Sequence, residues 1–126
     1  MKGNTIIESN GILTIRAGQQ LVIDNNYTLT NKGKIILNNG GVLSFDARFS
    51  TFINDGTIFN DGNIGLSNGM TNNGNITNTF LIITYSGTII NNGSIINNSR
   101  FIIKRNGGSF VGNDGSNFTG PIYYQY

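Results

Sequence analysis

Apolar and polar residues alternate along most of the chain, most regularly between Phe52 and Leu66, where the sequence reads FINDGTIFNDGNIGL. Every second residue of this stretch is Phe, Asn, Gly, Ile, Asn, Gly, Ile and Leu. A period of two residues is typical of β-strands. Because Asn and Gly interrupt the apolar positions, the pattern predicts short strands joined by tight corners, where both residues tolerate unusual backbone angles.

The same pattern returns along the chain after 18 residues and again after 19 residues. Six columns of equivalent positions keep these steps over three copies, which is hard to reach by chance even in a biased composition. The columns are Phe52, Met70 and Ile89; Asn54, Asn72 and Asn91; Gly56, Gly74 and Gly93; Ile58, Ile76 and Ile95; Asn60, Asn78 and Asn97; and Ile64, Ile82 and Phe101.

The recurring Gly and the many β-branched residues argue against helices. A rung of about 18 residues cannot bury its apolar face alone, whereas stacked rungs can. The sequence therefore predicts an all-β fold, a parallel β-solenoid (β-helix) with rungs of 18–19 residues.

Asn at equivalent positions of successive rungs is expected to form a structural ladder, in which each side-chain amide bonds to the next. The alternative is that Asn is merely common and lies in solvent-facing turns. The predicted ladder residues are Asn54, Asn72, Asn91, Asn60, Asn78 and Asn97.

The repeat is looser outside this region. Residues 29–45 carry an irregular copy, and residues 46–50 are expected to form a longer corner. Val111, Asn113 and Gly115 begin a downstream copy that then breaks. We therefore divide the chain into an N-terminal lead-in (1–10), a β-solenoid (11–117) and an aromatic C-terminal tail (118–126).

The stretches LTNKGKIILNNGGVL, INDGTIFNDGNI and INNGSIINN resemble the L-x-N-x-G-x-I repeats of filamentous haemagglutinin-like β-helix proteins. They are also similar to Asn-Gly-Ile repeats of β-helix proteins from large AT-rich DNA viruses, preceded by a segment like LTIRAGQQLVI. The resemblance covers roughly residues 11–103 and implies a right-handed parallel β-helix with a surface or assembly role. The short chain, without that family's export region, favours a small virion or filament subunit over a bacterial adhesin.

Composition narrows the possible chemistry. The chain has 22 Asn, 20 Ile and 18 Gly, but no His and no Cys. A Ser-His or Cys-His nucleophile pair is therefore excluded, as are disulfides and thiolate metal sites. The formal net charge of +2 does not suggest a nucleic-acid-binding surface. The sequence predicts neither a signal peptide nor a membrane-spanning segment.

The few carboxylates do not form an obvious catalytic pair. Asp55 and Asp61 each lie in an Asn-Asp-Gly turn, and the equivalent positions of later copies hold Asn or Thr. A glycosidase or lyase on this fold would need facing acidic groups. We interpret these residues as replacements for Asn in a corner, and we expect no catalytic, cofactor-binding or metal-binding residues.

Several apolar residues alternate with the predicted inward positions and should therefore face outward. Exposed apolar columns indicate a contact surface, unless loops or the aromatic tail cover them. The predicted assembly interface comprises Ile53, Phe59, Leu81, Ile83, Ile90, Ile96, Ile102, Tyr123, Tyr124 and Tyr126.

These observations predict a non-enzymatic structural protein that self-assembles into a fibre, tube or coat layer. Its partner would be another copy of itself, and its location a virion or an extracellular surface. The alternative is a surface adhesin or receptor-binding module that recognises a host glycan through Asn, Thr and Tyr side chains. Neither interpretation requires a cofactor, nucleic acid or membrane insertion.

Overall fold

The computed structural model describes residues 3–46 and 48–126, and these residues form a parallel β-solenoid without helices. Successive strands go in rotation to three parallel sheets of six strands each. The coil therefore makes about six turns.

Sheet 1 contains β1 (Thr5–Ile7), β4 (Thr28–Asn31), β7 (Thr51–Asn54), β10 (Gly69–Asn72), β13 (Gly87–Asn91) and β16 (Gly108–Gly112). Sheet 2 contains β2 (Ile12–Ile15), β5 (Lys34–Leu37), β8 (Thr57–Asn60), β11 (Asn75–Asn78), β14 (Ser94–Asn97) and β17 (Asn117–Thr119). Sheet 3 contains β3 (Gln20–Ile23), β6 (Val42–Phe45), β9 (Asn63–Leu66), β12 (Leu81–Thr84), β15 (Arg100–Lys104) and β18 (Tyr123–Gln125).

The core is built from columns of identical or similar apolar residues that stack along the solenoid axis. In sheet 2, Ile35 pairs with Ile58, which in turn pairs with Ile76. Ile76 then pairs with Ile95, and all four side chains are buried. The predicted buried column is thus confirmed. Alternate side chains of each strand point into the core, as a strand period of two requires, and each is covered by its equivalents on the turns above and below.

The predicted rung length holds only in the middle of the solenoid. Equivalent ladder residues are 18 and 19 apart between Asn54 and Asn91, but 23 apart between Asn31 and Asn54. Thr88 and its partner on the following turn, Ser109, are 21 residues apart. The additional residues lie in longer corners, including the predicted one at 46–50, of which residue 47 is outside the described residues. Corners can lengthen because the core constrains only the strands.

The repeated glycines are required for a reason other than backbone angle. Gly56, Gly74 and Gly93 lack the positive φ that favours glycine. Instead, a Cβ on Gly74 would lie 2.0 Å from the carbonyl oxygen of Gly56, and one on Gly93 would lie 2.1 Å from that of Gly74. Only glycine lets the corners of successive turns approach this closely. We expected glycine at these corners because it tolerates unusual backbone angles, and the close approach between turns is the reason that this expectation missed.

Strands extend beyond the predicted solenoid bounds of 11–117. Within the lead-in, β1 pairs with β4, and within the tail, β18 pairs with β15. The final copy is also shifted by one residue relative to our alignment: Phe110, not Val111, pairs with Ile89. Val111 is exposed instead. Both segments add strands because the adjoining turn offers an edge with unpaired backbone groups.

Three phenylalanines, one from each of β15, β16 and β17, pack together where the solenoid ends. The ring centroids of Phe101 and Phe118 are 5.1 Å apart, and those of Phe110 and Phe118 are 5.2 Å apart, with edge-to-face geometry. Such aromatic pairs stabilise beyond the area that they bury. The last turn therefore has a well-packed inner layer, although its Phe110 and Phe118 side chains are only partly buried.

Candidate assembly surfaces and the asparagine ladders

Asn31, Asn54, Asn72 and Asn91 form a first inner ladder at the corner between sheets 1 and 2. The Nδ2 of each donates to the Oδ1 of the next, over 2.8, 2.7 and 2.8 Å. All four residues are 0% exposed. The predicted inward stack is confirmed, and it includes Asn31, which we had placed only in the looser upstream copy. The ladder satisfies polar groups that would be costly to bury alone.

Asn60, Asn78 and Asn97 form a second inner ladder at the corner between sheets 2 and 3. Their Nδ2-to-Oδ1 hydrogen bonds measure 2.8 and 2.7 Å. The last donor, Asn97 Nδ2, bonds to the carbonyl oxygen of Pro121 at 2.7 Å. These residues are also buried, so all six predicted ladder residues lie in inner ladders.

The two inner ladders begin differently. Asn60 Oδ1 accepts the backbone N–H of Gly62 at 3.1 Å. Asn31 Oδ1 is buried and has no hydrogen-bond partner among the described residues. The residue paired with Asn31 on the preceding turn is Ile7, which has no donor to offer. Within the part of the chain that the structure describes, the first inner ladder thus begins with an unsatisfied acceptor, which has a free-energy cost.

The sequence did not predict a third, outer ladder on the exposed side of the corner between sheets 1 and 2. Asn73 Nδ2 donates to Asp55 Oδ1 at 2.7 Å, and Asn92 Nδ2 donates to Asn73 Oδ1 at 2.8 Å. Asn113 continues it by donating to Asn92. Asp55 therefore serves as the terminal acceptor of this ladder, which supports its interpretation as a replacement for Asn.

The predicted assembly residues do not form one patch, because they lie on three faces of the solenoid. Ile53 and Ile90 are half-buried on the outer face of sheet 1, with Thr71 between them in the same column. Phe59 and Ile96 are exposed on sheet 2, at 45% and 43%. Alternation distinguishes inward from outward positions, but it does not show which sheet carries a residue.

The residues predicted on sheet 3 are less accessible than expected. Leu81 and Ile83 are half-buried, and Ile102 is only 7% exposed. Ile102 faces outward, since its neighbours Phe101 and Ile103 belong to the core, and its column partners are Ile83 and Tyr123. Ile102 thus faces outward as predicted, but it is much less accessible than an exposed position, because outward apolar neighbours shield one another.

The three predicted tail tyrosines remain exposed, but the tail that carries them is bound to its own chain. Arg105 lies over the rings of both Tyr124 and Tyr126, with 5.2 Å from its guanidinium carbon to each ring centroid. Its Nη1 also donates to Tyr126 Oη at 3.0 Å. The tail therefore ends in the last strand of the solenoid, and its three tyrosine rings are exposed.

Both terminal turns carry apolar side chains that nothing in the described residues covers completely. Several inner positions there are half-buried: Ile7, Leu13 and Leu21 on the first turn, and Phe110, Phe118 and Ile122 on the last. Outer positions are more open, with Ile6 and Ile12 exposed by 53% and 64%. A turn in mid-solenoid has a neighbour on each side, whereas these turns have one.

The outer face of sheet 3 also contains a groove of about 400 Å³ beside Gly65. Gly65 leaves a gap in its column, and the ring of Tyr85 lies next to this gap. Asn63, Ser44 and Asp46 bring amide, hydroxyl and carboxylate groups to the same groove, and Ser44 Oγ donates to Asp46 Oδ1. The groove thus combines an aromatic ring with several hydrogen-bonding groups.

The described residues offer little other chemistry. Among them, no group of three or more acidic, His or Cys side chains is placed to hold a metal ion. They also include no helix that could cross a membrane. Comparison of the chain with protein-family models, with curated proteins and with solved structures found no match.

Proposed function

We propose that this protein is a non-enzymatic structural subunit that self-assembles into a fibre, tube or coat layer. The observation that carries the proposal is the exposure of large apolar side chains on a solenoid whose core is already filled. Exposed residues of this kind include Phe59, Ile96, Ile6, Ile12 and Val111. They contribute nothing to the core that we describe, and a contact surface explains them.

The energetics favour burial of these residues between subunits. Apolar area removed from water contributes about 25 cal/mol per Å², so covering a few such side chains contributes several kcal/mol. Each added subunit loses translational and rotational entropy, so a polymer grows only if each new contact contributes more than this cost. The ladders and apolar columns keep each subunit rigid, which lowers the ordering cost further.

The resemblance of the Asn-Gly-Ile repeats to those of β-helix proteins from large DNA viruses supports a virion or an extracellular surface structure as the location. In this proposal the partner is another copy of the chain. Cofactors, nucleic acid and membrane insertion have no role in it.

Sedimentation over a range of protein concentrations, together with electron microscopy of the same samples, tests this proposal. We expect species far larger than the 13.6 kDa chain, growing with concentration, and regular particles in the micrographs. A single monomeric species at every concentration would contradict self-assembly.

The groove beside Gly65 supports a second candidate function, glycan binding at a cell surface. A sugar ring can pack its apolar face on the Tyr85 ring while its hydroxyls bond to Asn63 and Asp46. Screening the protein against immobilised glycans tests this candidate. We expect Tyr85→Ala to abolish binding and Phe59→Ala, on another sheet, to leave it unchanged; no retention of any glycan would exclude it.

A further inference from the structure

We propose that the subunits stack head to tail along the solenoid axis, with β16, β17 and β18 of one copy pairing with β1, β2 and β3 of the next. This inference rests on the proposed self-assembly and specifies its geometry. Each sheet begins with one of the first three strands and ends with one of the last three. A second copy placed one inter-strand spacing of about 4.8 Å further along would therefore continue all three sheets.

The unpaired strand edges provide the first argument. Among the described residues, the outer edges of these six strands have no neighbouring strand. All pairing within the solenoid is parallel, so the first edge of one copy and the last edge of another have matching direction. Exposed edges of this kind are templates for pairing with another chain.

Two inner columns provide the second argument, because the columns that begin at Leu13 in sheet 2 and Leu21 in sheet 3 would continue with apolar residues across the junction. Phe118 ends the column that Leu13 begins, and Ile122 lies at the end of the sheet that Leu21 begins. These side chains are half-buried in the single subunit. Stacking would bury them as the middle turns bury their equivalents, with the same apolar contacts.

The outer faces of the terminal turns provide the third argument. Ile6 and Val111 are the first and last residues of one outward column on sheet 1, and both are exposed. In a head-to-tail stack, Val111 of one copy would lie beside Ile6 of the next. Six of the ten exposed large apolar residues lie on the terminal turns: Ile6, Ile12, Val111, Tyr123, Tyr124 and Tyr126.

The charges at the junction make this contact sensitive to salt. Glu8 lies in the corner that follows β1, and Asp114 lies in the corresponding corner that follows β16. Stacking would bring these two carboxylates to neighbouring turns of the same corner, where like charges repel, while Lys32 in the same corner one turn on from Glu8 offsets part of this repulsion. Added salt screens such exposed charges. Polymer formation should therefore increase with ionic strength, and Asp114→Asn should reduce that dependence.

Two different surfaces meet in this contact, so the interface is heterologous. Because each copy is displaced along the solenoid axis from the one before, the contact repeats without closing and generates an open filament, not a ring. This property allows a sharp test with subunits blocked at one end. Ile6→Lys with Ile12→Lys would block the first turn, and Val111→Lys with Tyr123→Lys would block the last turn. Charged residues on a strand edge are a natural means of preventing such pairing.

Analytical ultracentrifugation of each blocked variant and of their equimolar mixture provides the measurement. We expect each variant alone to be monomeric, and the mixture to form a 1:1 dimer of twice the 13.6 kDa subunit mass and nothing larger. Phe59→Lys with Ile96→Lys, on the side of the solenoid, is the matched control and should still polymerise.

If the end-blocked variants polymerise and the side variant does not, the subunits assemble laterally: the proposed function stands and the head-to-tail geometry is wrong. If the parent chain is itself monomeric, both are wrong. Circular dichroism melts verify that each variant is folded. Should a double substitution unfold the chain, Ile6→Lys and Val111→Lys singly provide the same test.

Discussion

Replacing Asn72 with Asp is a nearly isosteric change that tests the first inner ladder. Asn72 Nδ2 donates to Asn91 Oδ1 at 2.8 Å, and its Oδ1 accepts from Asn54 Nδ2 at 2.7 Å. An ionised carboxylate keeps the second bond and loses the first, because it has no proton to donate. The position is 0% exposed, so the charge would also be desolvated.

The magnitude follows from this burial. Full burial raises the pKa of a carboxyl group by about 3–5 units, and each unit corresponds to about 1.36 kcal/mol. Because the pKa is higher in the folded than in the unfolded state, the variant is most stable below the unfolded value of about 3.9. Stability is then lost as the pH rises towards the folded value, by about 4 kcal/mol at pH 7.

Urea denaturation followed by circular dichroism at about pH 4 and about pH 7 measures this loss. The control is Asn92→Asp in the exposed outer ladder, where we expect a change below about 1 kcal/mol. Asn72→Leu should lose about 1–3 kcal/mol without this pH dependence, since it leaves Asn91 Oδ1 without its donor from Asn72. Equal losses for Asn72→Asp and the exposed control would refute the reasoning.

Three further substitutions test the core, the corners and the start of the ladder. Ile76→Ala should lower the free energy of unfolding by about 2–5 kcal/mol in the same assay, and a smaller loss would argue against a tightly packed column. Gly74→Ala should lower the melting temperature, because its Cβ would lie 2.0 Å from a backbone oxygen; Gly65→Ala, with only a ring carbon at 3.9 Å, is the matched control. Ile7→Asn and Ile7→Ala both lose the apolar contacts of Ile7 with the core, but only Asn supplies a donor to Asn31 Oδ1. Ile7→Asn should therefore be the more stable of the two by about 1 kcal/mol, and equal stabilities would show that the acceptor cannot be reached.

The sequence predicted the elements that repeat with constant spacing. Ile58, Ile76 and Ile95 keep their spacing because each must cover the next in the core, and the ladder Asn are constrained in the same way. Because every turn needs the same residue type at these positions, the sequence shows a periodic repeat there. The identity of the fold and the six predicted ladder positions followed from that signal alone.

The glycine contacts, the outer ladder and the low exposure of Ile102 could not be predicted, because they depend on distances between turns that the repeat period does not specify. Gly74 approaches Gly56 closely through a backbone contact between turns. From the sequence alone, the recurring glycine could equally be explained by turn geometry. The outer ladder includes Asn113, which follows the longer 21-residue turn and so falls outside the regular repeat. Ile102 is shielded by neighbours from other turns, and the sequence does not show how close these neighbours lie.

The direction of the hydrogen bonds gives the solenoid an electrical polarity. In both inner ladders the N–H groups point towards the C-terminal turn, and the final acceptors are the backbone oxygens of Asn117 and Pro121. In the outer ladder they point the opposite way, and Asp55 fixes that direction because a carboxylate can only accept. Amide dipoles aligned in this manner add along the axis, as they do in a helix. The buried dipoles thus oppose the exposed ones, and replacing Asp55 with Asn would leave the outer ladder free to reverse.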